Sequence, residues 1–452
     1  MTRYAAIVLV FILSFAIHVD AATPQVVITS PDNGEIDVSP DIKEIRVEFD
    51  QPMNPRGRSI IGGGDNFPEI SGEMKWLNEK TFIIPVTLKA NHEYWLSINS
   101  DTFKGFRSQS GQPVDWYPIH FKTQGAGPMP PDVTPQQNKA ALEALKKAID
   151  QDYSYRDLKK VDWTSEIAKR QAKFENAATA NEFARLAAHL LRLAQDGHVS
   201  VQAGDVGIGT CSNSTPPNFN IQTLQKAVPG WTEHPSGIIT GRFAKAANGS
   251  SIGYILFSEC TKPQADGFDA ALDEMKDTGS LIIDARFNGG GGEDAALQVA
   301  GRFVEKPTVY AKDRIRQAGN WTGLIDRVVQ PRNDPPRYTK PVAVLIGPKI
   351  VSSAESFVLM MQQGAKAKLI GDATGGSSGR PMPHPLGNGV TVYLSSWEDE
   401  LPDGTLLQGN GVHPDISVAT LPRFLEQSDA VLEAALNHLR HQDTAANAPV
   451  GK

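Results

Sequence analysis

Cysteine is almost absent: the 452 residues contain two, Cys211 and Cys260. Two thiols cannot frame a disulfide scaffold, and their separation, with no HExxH or CxxC pattern, argues against a metal site. No metal or other cofactor is expected. Positive charge is not in excess either. Lys and Arg number 44 against 51 Asp and Glu, a net charge of −7, which leaves no basic surface for nucleic acid. Beyond residue 21 no apolar run approaches the length of a transmembrane helix, roughly 20 residues. Internal repeats and low-complexity tracts are also missing. What remains, 40% hydrophobic and 21% charged, is ordinary globular composition, long enough for two or three domains.

Residues 1–21 hold one arginine, an apolar stretch over 5–17, and Val19-Asp20-Ala21 before Ala22. This is the pattern of a secretory signal peptide, so the chain is expected to be exported, periplasmic or secreted, with no integral membrane segment after signal removal. No cysteine follows the apolar stretch to carry a lipid. In an oxidising compartment a disulfide between Cys211 and Cys260 is expected, with two buried thiols as the alternative.

Short alternating runs punctuated by Pro, Gly, Asn and Asp over residues 24–124 read as a separate all-β module. A Pro/Gly-rich linker occupies 125–135. Helical periodicity covers 136–200, where Tyr153, Tyr155 and Trp163 read as packing residues. An α/β core follows over 201–440, and 441–452 reads as a disordered tail.

Four segments carry the chemistry. The apolar run 342–346 reads as a buried strand, followed by a small-residue turn with Ser352 and Ser353, then Glu355 and a helical pattern. A serine between a core strand and a helix N-terminus is placed to act as a nucleophile, because free N–H groups and the helix dipole can stabilise an oxyanion. The bland reading is an N-capping serine. Residues 281–293 form a second apolar strand ending in Asp284, Arg286 and Asn288, then four glycines, 289–292, that let backbone N–H groups approach a ligand. Residues 187–202 form an amphipathic helix that breaks at Gly197 and presents His198. Residues 407–419 form a glycine-rich turn into a strand, with Asn410, His413 and Asp415 as polar candidates.

These segments resemble the serine peptidases of the C-terminal-processing and tricorn-core family. The matching motifs are Ser-Ser-Ala-Glu (352–355), Asp-Ala-Arg-Phe-Asn-Gly-Gly-Gly (284–291) and Gly-Asn-Gly-Val-His-Pro-Asp (409–415). The resemblance covers roughly residues 135–440 and implies a ClpP/crotonase-like α/β peptidase core beneath a helical cap. The run Ser30-Pro31-x-Asn33-Gly34 and the segment 47–56 resemble bacterial Ig-like domains, which implies an Ig-like sandwich over 24–124 acting as spacer, anchor or binding arm.

Departures from the family pattern select a branch. Processing peptidases use a Ser–Lys dyad, whereas the lysine position in Gly-Asp-Ala-Thr-Gly-Gly-Ser (371–377) holds Ser377. The stretch before the core strands shows no PDZ pattern. Gln195-Asp196-Gly197-His198 instead resembles the helix-end motif of the tricorn-like and retinoid-binding-like branch, whose base is a histidine. Imidazole titrates near neutrality and can return a proton to a leaving amine. The resemblance therefore implies Ser352 as nucleophile, His198 as base, and the N–H groups of Gly290 and Ser353 as the oxyanion hole. The branch's glutamate corresponds to Gln408, which can orient a partner but cannot stabilise a cation by charge. The expected function is an exported serine peptidase acting on a peptide or protein substrate. The alternatives are a catalytically silent peptide- or lipid-binding module on the same fold, or a cell-envelope-binding protein acting through its Ig-like domain.

Overall fold

Alternating burial builds the first of two units, Met1–Pro130 and Pro131–Lys452. In the strand Glu44–Phe49, Ile45, Val47 and Phe49 face inward while Glu44 and Arg46 face out. This period of two is that of a sheet with one buried face. The computed structural model describes residues 23–446 except 101, 125–131, 205, 212–214, 245–250 and 421–423, with 36, 37 and 442–446 described by their backbone alone. The expected signal peptide, most of the linker and residues 447–452 lie outside the described residues.

In the first unit, Val26–Ser30, Glu44–Phe49, Thr81–Thr87 and Glu69–Ile70 form one sheet, with Lys75–Trp76 also pairing Thr81–Thr87. Glu35–Val38, Tyr117–Thr123, Glu93–Ile98 and Ile60–Ile61 form the other. Ile45, Val47, Phe82 and Ile84 from the first share one core with Leu96, Ile98, Ile119 and Phe121 from the second. The result is a two-sheet β-sandwich.

The second unit begins with three capped helices. Thr134 and Gln137 form a reciprocal capping box at the start of Pro135–Asp152, so the expected linker ends in the first helical residue. Asp162 caps Trp163–Glu175 and Thr179 caps Ala180–Leu191. Their apolar faces close on a four-stranded sheet ordered Val206–Gly209, Ser200–Ala203, Val390–Ser395, Pro381–Pro385. Residues on both sides of position 200 therefore share one hydrophobic core, and strands distant in sequence complete it. Tyr153, Tyr155 and Trp163 are buried in that core.

The main sheet has seven strands, ordered Thr232–Glu233, Ile239–Phe243, Ile252–Leu256, Ser280–Asp284, Val342–Ile346, Lys368–Gly371, Ile416–Ser417. Pairing is parallel from Ile252–Leu256 onward. Helices Lys262–Glu274, Glu293–Ala300 and Ser353–Gln363 pack on one face. Helices Ile221–Ala227 and Ala430–Ala446 pack on the other. Covering both faces explains why Ser280–Asp284 is buried throughout rather than alternating. The tail expected from 441 is instead helical to Ala446. No helix among the described residues is long and apolar enough to cross a membrane.

The disulfide expectation is corrected: Cys211 and Cys260 are not bonded to each other. Cys211 is exposed after an edge strand of the four-stranded sheet. Cys260 is buried beside the main sheet, its Sγ–H directed at Asn288 Oδ1, 3.6 Å away. The two thiols belong to different packing environments.

A fully buried arginine joins the sheet to the last helix. Arg286 donates to both oxygens of Asp284 and of Asp429, and to the Asn218 carbonyl. Asp429 also accepts the Leu432 N–H, so it caps the helix that covers the sheet. Removing Asp429 leaves the Arg286–Asp284 pair but strips the buried guanidinium of two acceptors and the helix of its cap. Asp429→Ala is expected to destabilise the second unit by about 3–5 kcal/mol, measured by urea unfolding.

Candidate active site

Ser352 does not cap its helix. It occupies the position before Ser353–Gln363 with φ 59° and ψ −137°, and its hydroxyl makes no capping bond. A non-glycine residue held there stores strain of about 1–3 kcal/mol and persists only where its surroundings impose it. Its N–H donates to the Ser377 carbonyl at 2.7 Å and its carbonyl accepts the Glu355 N–H at 2.8 Å. Ser353, first in the helix, has no intrahelical acceptor for its N–H. Its hydroxyl donates to the Gly291 carbonyl at 2.8 Å.

The glycine loop lies directly opposite. Gly290 has φ +99°, and a Cβ there would come within 2.8 Å of the Ser352 Cβ and 3.2 Å of the Ser353 nitrogen. Only glycine allows this approach. The Gly290 N–H, however, donates to Asn288 Oδ1 at 3.0 Å. Cys260 clamps the same loop through its own N–H to the Gly290 carbonyl and its carbonyl to the Gly292 N–H. The two N–H groups expected to face an oxyanion thus differ, since that of Gly290 is already engaged.

His198 follows a tight Asp196-Gly197 turn in which its N–H donates to Asp196 Oδ1 at 2.9 Å. Its Nδ1 and Ser377 Oγ form a 3.1 Å hydrogen bond whose donor depends on the tautomer. Ser352 and His198 therefore meet at Ser377, one at its carbonyl and the other at its hydroxyl. The structure makes no direct hydrogen bond between Ser352 Oγ and the imidazole. Burial pushes the His198 pKa below 6.5, and the charges of Asp196 and then Asp399 pull it back up.

Ser377 is held by Glu355, which is fully buried. Glu355 accepts from the Gly376 N–H at 2.8 Å, the Ser377 N–H at 2.9 Å and the Thr374 hydroxyl. Burial pushes its carboxyl up to about 7, against the pull of those three donors.

Gln408 stands apart from the imidazole. Its Oε1 accepts the Ser378 N–H at 2.8 Å, and no bond joins it to His198. The Ser378 hydroxyl donates to Asp399, which pairs with Arg327, and Arg327 also pairs with Glu293. Asp399 escaped sequence reasoning because it lies in an acidic strand, Trp397–Glu400, with no motif around it. Asn410 and Asp415 hold backbone: Asn410 donates to the Leu406 carbonyl and Asp415 accepts the Leu369 N–H.

Residues 375–379 read Gly-Gly-Ser-Ser-Gly, formally the spacing of a nucleophile elbow. The strand–turn–helix context is missing, because the segment is irregular and runs into the strand Pro381–Pro385. Ser377 and Asp196 also approach the same ring nitrogen. In a Ser–His–Asp arrangement they would occupy opposite ones. Among the described residues, no three His, Cys, Asp or Glu side chains converge as a metal set.

An α/β domain with a strained serine at a helix N-terminus, a glycine loop beside it and a histidine bonded to the same Ser377 is the setting in which known relatives become informative. Residues 251–418 match peptidase family S41, so this part of the chain is a peptidase S41 domain. Over 176 residues the chain is 26% identical to the carboxy-terminal processing protease CtpB of Bacillus subtilis, covering 38% of this chain and 35% of that one. Over 188 residues it is 28% identical to a carboxy-terminal-processing protease of Bartonella bacilliformis, covering 40% and 42%. The matched stretch thus spans well under half of these relatives. A solved structure from Parabacteroides merdae, described as a candidate peptidase, is similar with a TM-score of 0.58 at 23% identity, over 68% of this chain and 97% of that one. That likeness shows the fold.

The Glu355 carboxyl sets a pH signature. A pKa of about 7 in the folded protein against 4.5 unfolded means the folded state binds more protons between these values. Its contribution is therefore fully present below 4.5 and lost as pH rises toward about 7, up to about 3 kcal/mol. Comparing urea unfolding of the wild type and Glu355→Gln across this range should show a pH-dependent difference. An invariant difference would rule the raised pKa out.

Proposed function

We propose that the chain is an exported serine peptidase in which Ser352 is the nucleophile and His198 the base. The observation that carries this reading is the strained Ser352, whose hydroxyl is left unused by the helix and whose backbone meets His198 at Ser377. Ser352 Oγ attacks the scissile carbonyl carbon while its proton passes to His198. With Nδ1 turned to Ser377, the ring nitrogen for this transfer is Nε2. The oxyanion takes the Ser353 N–H, and the Gly290 N–H once that donor exchanges its bond from Asn288. The C–N bond then breaks as His198 gives the proton to the leaving amine. Water, deprotonated by the same nitrogen, hydrolyses the acyl-enzyme and restores Ser352.

Export rests on the signal-like composition of residues 1–21. The β-sandwich is read as an Ig-like spacer or binding arm, on the sequence features of 30–34 and 47–56 together with its two-sheet packing. A second reading, a silent peptide- or lipid-binding module, is favoured by the engaged Gly290 N–H and by the missing direct bond between Ser352 and His198.

Covalent labelling by a serine-directed fluorophosphonate separates the two. Wild type should label and Ser352→Ala should not, whereas Ser353→Ala and Ser377→Ala should keep a labelled serine. Loss of label only in Ser353→Ala would move the nucleophile by one residue, and loss only in Ser377→Ala would move it to the 375–379 turn. Uniform absence of label favours the silent module. Because burial depresses His198, the ascending limb of kcat/KM should lie below 6.5, the ordinary imidazole value. A limb at or above that value would contradict His198 as the buried base.

A further inference from the structure

A base that becomes positive in the transition state needs negative charge nearby, and Gln408 supplies none. Its side chain is spent on the Ser378 N–H. We propose that Asp196 is the charge that stabilises protonated His198, with Ser377 Oγ as the hydrogen-bonding partner of Nδ1 and Gln408 confined to holding the 377–379 loop. The proposal rests on the reading of Ser352 and His198 as nucleophile and base.

Asp196 Oδ1 lies 3.9 Å from His198 Nδ1. The carboxylate is 1% exposed, so solvent and salt screen it little. Three donors fix its position: the His198 N–H on Oδ1, and the Tyr153 and Ser395 hydroxyls on Oδ2 at 3.1 and 2.8 Å. They come from the turn itself, the end of the first helix and the strand Val390–Ser395, so the charge cannot swing away. A single carboxylate performs two tasks in a Ser–His–Asp arrangement, orienting the ring and stabilising its charge. Here the tasks are divided. Ser377 fixes the ring and leaves Nε2 as the nitrogen that takes the Ser352 proton, while Asp196 holds the field and takes no proton.

The other charged or titratable groups facing the imidazole are accounted for. Asp399 approaches from the strand Trp397–Glu400 and pulls in the same direction less strongly than Asp196, its charge paired with an Arg327 that also serves Glu293. Glu355 stands behind Ser377 and binds its backbone N–H. Tyr153 touches Asp196 directly, and Tyr155 and Cys211 lie within its field.

The decisive measurement is the titration midpoint of His198 by 15N NMR, assigned by its loss in His198→Gln, together with the pH profile of fluorophosphonate labelling. Asp196→Asn keeps the size of the side chain and removes its charge. It should lower the His198 midpoint by about one pH unit and slow labelling of Ser352 roughly tenfold at neutral pH. Tyr153→Phe removes one donor from Oδ2 and leaves the carboxylate less neutralised, so the midpoint should rise. This opposite sign is beyond a purely structural role, and it stands even if Asp196→Asn fails to fold. A midpoint unmoved in both variants, or slower labelling at the wild-type midpoint, overturns the proposal. Absence of label in the wild type would fell the peptidase reading alone, since the midpoints need no turnover to decide whether Asp196 governs His198.

Discussion

Glu355 ties together pieces that the rest of the site depends on. It sits on the first turn of the helix that follows Ser352, and its carboxyl reaches back to Thr374, Gly376 and Ser377. The loop so held presents one carbonyl to the Ser352 N–H and one hydroxyl to His198. A buried carboxyl is costly without partners. Its three donors offset that cost and, in doing so, fix the distance between the two sides of the site. The strained φ of Ser352 follows from the same constraint: strand, helix and loop are each anchored elsewhere, and the residue between them takes the conformation left over.

Two separate ionic networks flank this clamp, and they do different work. Arg286 with Asp284 and Asp429 is sealed inside the second unit and serves to lock the last helix across the sheet. Arg327 with Asp399 and Glu293 lies nearer the imidazole. By pairing Asp399, it leaves Asp196 as the nearest carboxylate to His198 without an arginine partner.

Local chemistry was readable where local chemistry decides. The apolar run 342–346 with its Ser-Ser-Ala-Glu turn, the strand ending in four glycines, and the Asp-Gly-His turn all lie where their patterns indicated. Non-local pairing was not readable. The sheet beneath the helices joins 200–209 to 381–395, and nothing in either segment names the other. The same blindness explains Gln408, whose partner Ser378 lies on a distant loop. It explains the cysteines too. Export suggested a bond, but Cys260 turns its thiol to Asn288 within the motif that shapes the glycine loop. Asp196 was visible in the sequence, yet its field depends on hydroxyls from Tyr153 and Ser395 that no spacing rule connects.

The serine at position 377 carries the deeper steric consequence. A Cβ added at Gly197 would lie 3.4 Å from Ser377 Oγ, and one at Gly379 would lie 3.3 Å from the His198 Cβ. Gly197 and Gly379 thus keep side-chain bulk away from Ser377 and His198, which are joined by one hydrogen bond. Ser377 carries no charge, so on the proposed reading of His198 as base the electrostatics come from the turn that carries the histidine itself.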